Sequence, residues 1–316
     1  MMIKLNMKLL ILTILLTTTS FASERDFNNT LEKARKFFAP LYSSNGKKLS
    51  ITGEWEYDEN NAKALAHTVD HYYIEIYGGA LKTKGSNIDS LRAMICHEVG
   101  HHFGGAPLMP QYYEDYYLFR GSSEGQADYF ATSICLKKWF SGEDHWGELA
   151  KSGYFPKDQK FCELYYSTKN EVGLCVRIIT AFKKMLEMDL ETFVHLNWKS
   201  PKDDYPYMLA STVIHPQKKC RLETAYAGVI CQKNEIPGCL TTDAPIEASR
   251  PLCWAGIGFL LDHEFPINSS NTIKQINRLP IKEFYTDFYD DDEVQEHSKK
   301  LKAKFKSTIP ALNLYK

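Results

Sequence analysis

Apolar residues at Phe27, Leu31, Ala34 and Phe38 recur every three or four positions, and that period predicts an amphipathic helix over residues 27–38. Residues 72–77 read differently. Tyr-Tyr-Ile-Glu-Ile-Tyr is aromatic, β-branched and partly alternating, and it runs into Gly78-Gly79, so a strand is expected there. The helical period returns with Ile88, Leu91, Ile95, Val99 and His102 or Phe103, marking a helix over 88–103 that Gly104 and Gly105 should stop. Ser123 and Gln126 spell an S-x-x-Q capping box, which starts the next helix and carries it to about residue 140. Residues 171–188 form a more thoroughly apolar helical stretch, expected to be central, and 218–231, 254–262 and 294–306 complete the set. The chain shows no internal repeat and no long low-complexity linker. One clear strand among many helices predicts an α+β fold, helix-rich, as a single domain over residues 23–316 with a small sheet next to the 88–103 helix.

Composition narrows the setting. Lys4 and Lys8 precede an apolar run from Leu9 to Leu16, and Ser20-Phe21-Ala22 has small residues at A-x-A-like spacing. Residues 1–22 therefore read as a secretory signal peptide, with Ser23 as the new N-terminus and a periplasmic or secreted destination. No segment reaches the roughly 18 apolar residues that a bilayer span needs, so no integral membrane segment is expected after signal removal. A net charge of −1 gives no electrostatic case for nucleic acid or an anionic membrane surface. The acidic run at 287–293, ahead of the basic 294–306 helix, reads as a solvated face. Eight cysteines, an even count in an exported chain, point to disulfides, and the absence of C-x-x-C sets aside a zinc ribbon or a thioredoxin-like motif. The loop within 220–253 is rich in Pro, Gly and Thr, and its cysteines are expected to pair with one another, stapling the C-terminal part. Cys96, beside His97, reads as a buried thiol or a bridge.

The chemistry concentrates at His97-Glu98-Val99-Gly100-His101. This is H-E-x-x-H inside a helical pattern, and two histidines four apart lie on one helix face where both imidazoles can reach one ion. Glu98 is then placed to take a proton from a water on that ion. A catalytic zinc usually takes three protein ligands, so a third is expected downstream. A third histidine three residues past a glycine, as in H-E-x-x-H-x-x-G-x-x-H, fails here: Gly104 is in place, but position 107 is Pro107, which has no ligand atom. Glu124 and Asp128 are four apart at the start of the next helix. The pattern makes Glu124 the third zinc ligand and Asp128 the acceptor for the outward N–H of a ligating histidine. Read alone, the same two residues are an acidic first turn complementing a helix dipole.

On these motifs the chain resembles the gluzincin metallopeptidases, and specifically the family of CAAX prenyl proteases, HtpX and BepA. Asn61-Ala62-Lys63-Ala64 is similar to that family's N-A-x-A element, and residues 74–81, Ile-Glu-Ile-Tyr-Gly-Gly-Ala-Leu, to its strand before the active-site helix. His215-Pro216 followed by Arg221 resembles its downstream H-P-x-x-x-x-R element, although Val213-Ile214 separates Ser211-Thr212 from His215. The resemblance implies a zincin-like fold and a soluble, divergent member of the family.

Several residues have two readings. His215 is a carbonyl polariser, a resting-state fourth zinc ligand, or a helix-start residue before Pro216; Arg221 is an oxyanion donor or the partner of a structural carboxylate. His67 and His71 flank the strand start with no carboxylate at matching spacing, and His102 points away from the ligand face. Tyr112 to Tyr117, Tyr205 and Tyr207 could serve as phenol donors or as cleft walls. The expected function is an exported zinc endopeptidase acting on extended or unfolded polypeptide, with substrate paired along the strand near Ile74–Tyr77. The alternatives are a zinc-bound chaperone-like or binding envelope protein with latent or no activity, and a peptidoglycan cross-link hydrolase.

Overall fold

The computed structural model describes residues 23–66, 68–108, 121–194, 207–208, 215–233, 235, 238–239, 246–251, 253–255 and 281–282. The expected signal peptide, the acidic run and the 294–306 helix lie outside them, as do His67, Tyr112 to Tyr117 and Tyr205. Of the 254–262 helix only Trp254 and Ala255 are described, and they sit in a turn.

The first helix, α1 (Glu24–Ser44), is longer than its apolar spacing predicted. Ser23 and Asp26 form a reciprocal capping box that starts it early, and Tyr42, one turn beyond Phe38, extends the buried stripe past Pro40. Three strands follow: β1 (Lys48–Glu54), β2 (Ala62–Ala66) and β3 (His71–Tyr77). They form a mixed sheet in the order β1-β3-β2, with β1 parallel and β2 antiparallel to β3. The strand read from the sequence is thus the central one. Its neighbours carried weaker signals, since Ala-Lys-Ala-Leu-Ala in β2 alternates small and exposed residues. Helix α1 lies close on β1, where a Cβ at Gly53 would meet Leu31 at 2.4 Å and Phe27 at 2.5 Å.

A short α2 (Gly79–Lys82) leads to α3 (Ile88–Phe103), which keeps its expected bounds. Every residue from Asp89 to His101 is buried, so α3 runs through the core instead of turning one face to water. Next comes α4 (Glu124–Phe130), which continues through a π-helical segment, Ala131–Cys135, into α5 (Leu136–Trp139). Single π turns inside α-helices often mark functional sites. Then follow α6 (His145–Ser152), α7 (Pro156–Cys162) and α8 (Lys169–Met185). Helix α8 starts two residues before its predicted position because Thr168 and Glu171 cap it. A two-residue strand, β4 (Tyr207–Met208), pairs in parallel with β5 (Ile281–Lys282); between them lie α9 (Lys218–Ile230) and a 3-10 turn, Ile246–Ala248. The architecture is α+β and helix-rich, and one hydrophobic cluster extends from Phe27 to Ala255.

All eight cysteines pair: Cys96–Cys135, Cys162–Cys175, Cys220–Cys253 and Cys231–Cys239. The last two place the cysteines of the 220–253 segment with one another, as its composition suggested. Among the described residues no helix is long and apolar enough to cross a membrane.

Candidate metal centre

Helices α3 and α4 cross at Gly100. A Cβ there would meet Ala127 O at 2.7 Å and Ala127 Cα at 2.8 Å, so only glycine lets the two backbones come this close. The crossing brings the first turn of α4 against the histidine turn of α3. His97 and His101, one turn apart, hold their Nε2 atoms 3.2 Å from each other. Glu124 Oε2 lies 3.1 Å from His97 Nε2 and 3.4 Å from His101 Nε2.

The outer nitrogens decide what this inner face presents. His97 Nδ1 is 2.7 Å from Asp128 Oδ1, and His101 Nδ1 is 2.8 Å from the main-chain oxygen of Ser122. A carboxylate and a carbonyl can only accept, so each ring carries its proton on Nδ1. In the neutral rings both Nε2 lone pairs then point inward, toward a carboxylate oxygen. Glu124 Oε2 is buried and, despite three close imidazoles, is aligned with none of them as a hydrogen bond. Two nitrogens and an oxygen, all acceptors, converge where a cation would satisfy them together. That donor set fits a divalent metal ion of zinc type.

The electrostatics carry the same demand for positive charge. Burial opposes the charging of His97, yet Asp128 and Glu124 outweigh it and hold its pKa up at about 10. Burial also works against the Glu124 carboxylate, but His101, His215 and His97 keep it well below the ordinary range. Glu98 is buried beside them, and its burial raises its carboxyl against the lowering influence of both histidines. A carboxylate oxygen of Glu98 and one nitrogen each from His97 and His101 lie within 4.8 Å of one another.

Neither a family model, nor a curated protein, nor a solved structure matches this chain. Its chemistry is therefore read from its own residues.

His215, placed before α9, joins the cluster. Its Nε2 is 3.0 Å from Glu124 Oε2, the same oxygen that His97 and His101 approach, and its ring lies nearly parallel to that of His97. Arg221 sits against Asp128. Its Nε and Nη2 grip Asp128 Oδ2 and Oδ1, both at 2.7 Å, and this fork leaves it supporting the carboxylate that orients His97. The structure shows the carboxylate pairing, and Arg221 also lines the cleft described below.

Two further corrections follow from the packing. Ser123 is the N-cap of α4, but the capping box is not made: Ser123 offers no side-chain cap bond, and Gln126 donates instead to Gly104 O at 2.6 Å. Strand β3 cannot take a further strand along Ile74–Tyr77, because β1 and β2 occupy both of its edges. Its neighbour β2 is the one beside the centre. Residues 60–65 line a cleft of about 310 Å³ together with Met94, Met185, the two α3 histidines, Glu98, Glu124, His215 and Arg221. His102 points away from the ligand face, as expected: it is half-buried, its Nδ1 shares a hydrogen bond with the Tyr42 hydroxyl at 2.5 Å, and burial lowers its pKa to about 3. His71 Nε2 pairs with Ser50 Oγ at 2.8 Å on the sheet.

Sequence reasoning missed the main-chain oxygen of Ser122, which has no side-chain signature, and Arg250, which reaches Gln126 across more than a hundred residues.

Proposed function

We propose that this chain is an exported zinc-dependent endopeptidase of zincin-like fold, a soluble relative of the gluzincins. One observation carries the reading: two imidazoles with their Nδ1 protons anchored, and the Glu124 carboxylate, converge at the floor of a cleft with Glu98 beside them. Zinc held by His97, His101 and Glu124 would supply Lewis acidity and lower the pKa of a bound water from 15.7 to about 7. Glu98 takes the proton of the attacking water and hands it to the leaving amine. Asp128 keeps the His97 ring in its metal-facing tautomer, and Arg221 keeps Asp128 ionised and oriented. The polypeptide lies extended along β2. Among the described residues that strand pairs only with β3, which leaves its cleft edge for main-chain hydrogen bonds. Four disulfides suit the oxidising compartment that the leader sequence implies.

The test is direct. The oxidised chain should degrade an unfolded protein, stop when a chelator strips its metal, and resume when zinc is returned. Hydrolysis that persists in the metal-free protein would remove the centre from the chemistry.

His215 favours a second reading, a latent form of the same enzyme or a binding protein built on the same centre. Its approach to Glu124 would let it serve as a fourth protein ligand, and four protein ligands are the mark of closed zinc sites. His215→Ala is then expected to weaken zinc retention and raise turnover. A fall in kcat of about a hundredfold to a thousandfold, with KM spared, would make His215 an oxyanion donor instead.

A further inference from the structure

Glu124 is the first residue of α4, at the end of a helix where main-chain groups lack partners, and Ser123 gives that turn no side-chain cap. Gln126 instead ties this turn to α3. Its Nε2 donates to the carbonyl of Gly104, the residue that ends α3, and its Oε1 accepts from Arg250 Nε at 2.7 Å. The arginine thereby decides which way the amide faces, since a flipped amide would set its NH2 group against the guanidinium.

Arg250 is itself held firmly. It is 1% exposed, lies over the Tyr129 ring at 4.7 Å and donates to Cys239 O at 3.4 Å. Tyr129, one turn further along α4, donates to Ala248 O at 2.6 Å. Between Glu124 and Gln126, Gly125 carries the Trp254 ring so closely that a Cβ would come within 2.1 Å of it. The Trp254 indole N–H donates to Thr224 Oγ1 on α9 at 2.8 Å, and Cys220–Cys253 ties its neighbour to the same helix. The outer side of the Glu124 turn is thus covered by Ala248, Arg250 and Trp254.

We infer that Arg250 is a positioning residue for the metal centre: acting through Gln126, it sets the first turn of α4 against the end of α3 and so holds Glu124 opposite His97 and His101. The inference rests on the metal reading proposed above. A ligand carboxylate displaced by a fraction of an ångström holds its ion less tightly, whereas a side chain that only fills the core does not discriminate between metal-bound and metal-free protein.

The experiment titrates the oxidised full-length chain with Co2+ against a competing chelator, reading the visible absorption of the bound ion. It compares wild type, Arg250→Met, Arg250→Lys, Gln126→Met and the Arg250→Met/Gln126→Met double variant, with the melting temperature of each metal-free protein as the control for folding. Co2+ affinity should fall by at least about tenfold in each Met variant, the low end of what losing an outer contact of a metal site costs. The double variant should be no weaker than the weaker single one, because both changes cut the same relay. Arg250→Lys, which keeps a donor, should recover part of the loss. The double variant leaves no unpaired buried charge, so it carries the test if a single variant does not fold. Affinities within about twofold of wild type in folded variants overturn the inference, and so do losses that multiply in the double variant. A wild type that takes up no Co2+ overturns the metal reading itself, and this inference with it.

Discussion

Replacing Glu98 with glutamine is expected to leave the metal in place and cut turnover by about a hundredfold to ten-thousandfold, the range that a positioned general base supplies. Glu98 lines the cleft within reach of both histidines, and the role of base, with Glu124 as the third ligand, is the one tested here. Glutamine keeps the shape and loses the basicity. Glu124→Ala is the counterpart: it removes the oxygen toward which three imidazoles point, and both metal and activity should go together. Elemental analysis beside steady-state rates on the two variants separates the roles. Full zinc in Glu124→Ala would take Glu124 out of the centre, and an active Glu98→Gln would take Glu98 out of the reaction. A binding protein on the same fold would keep its phenotype in Glu98→Gln, because binding needs the fold and not the base.

The second large effect lies away from the cleft. Lys183→Met is expected to destabilise the fold by about 3–5 kcal/mol, the usual consequence of leaving one buried charge without its partner. Lys183 and Asp158 are both fully buried, their ion pair is 2.6 Å long, and Lys183 also donates to Leu190 O at 2.8 Å. Tyr226 donates its hydroxyl to the other Asp158 oxygen, so the cluster joins α7, α8 and α9. Burial raises the Asp158 carboxyl and lowers the Lys183 ammonium despite their pairing, which marks desolvation as the larger influence on both. Urea unfolding with the disulfides intact measures the loss. Lys183→Met/Asp158→Leu should regain part of it, since replacing both charges removes the unpaired group. A single variant within about 1 kcal/mol of wild type would show the pair to be dispensable.

The bounds of α3 were legible because its signals are local: the apolar period begins at Ile88 and Gly104 closes the other end, while the Asn87 and Ser90 capping box reinforces the start. The clustering of His97 with His101 and of Glu124 with Asp128 was legible for a related reason, since the spacing of four within each helix fixes which side chains share a face. What could not be read was how the two helices meet. The S-x-x-Q signal predicted a self-contained cap, but Gln126 is used across the interface with α3, and local propensity gives way where a tertiary partner is better placed. Strand β3 was recognised from its own residues, while its central place in the sheet depends on β1 and β2, whose alternation is faint. Arg221 had two open roles in the sequence because nothing local says that its partner is ninety-three residues away.

The close crossing at Gly100 changes what the motif itself means in this chain. H-E-x-x-H is written with two free positions, yet neither is free here. Val99 is fully buried, and Gly100 has Ala127 backbone where a side chain would begin. The pentapeptide is therefore a specification for packing as much as for chemistry. Any library that varies its two middle letters would be selecting first for the distance between helices, and only afterwards for catalysis.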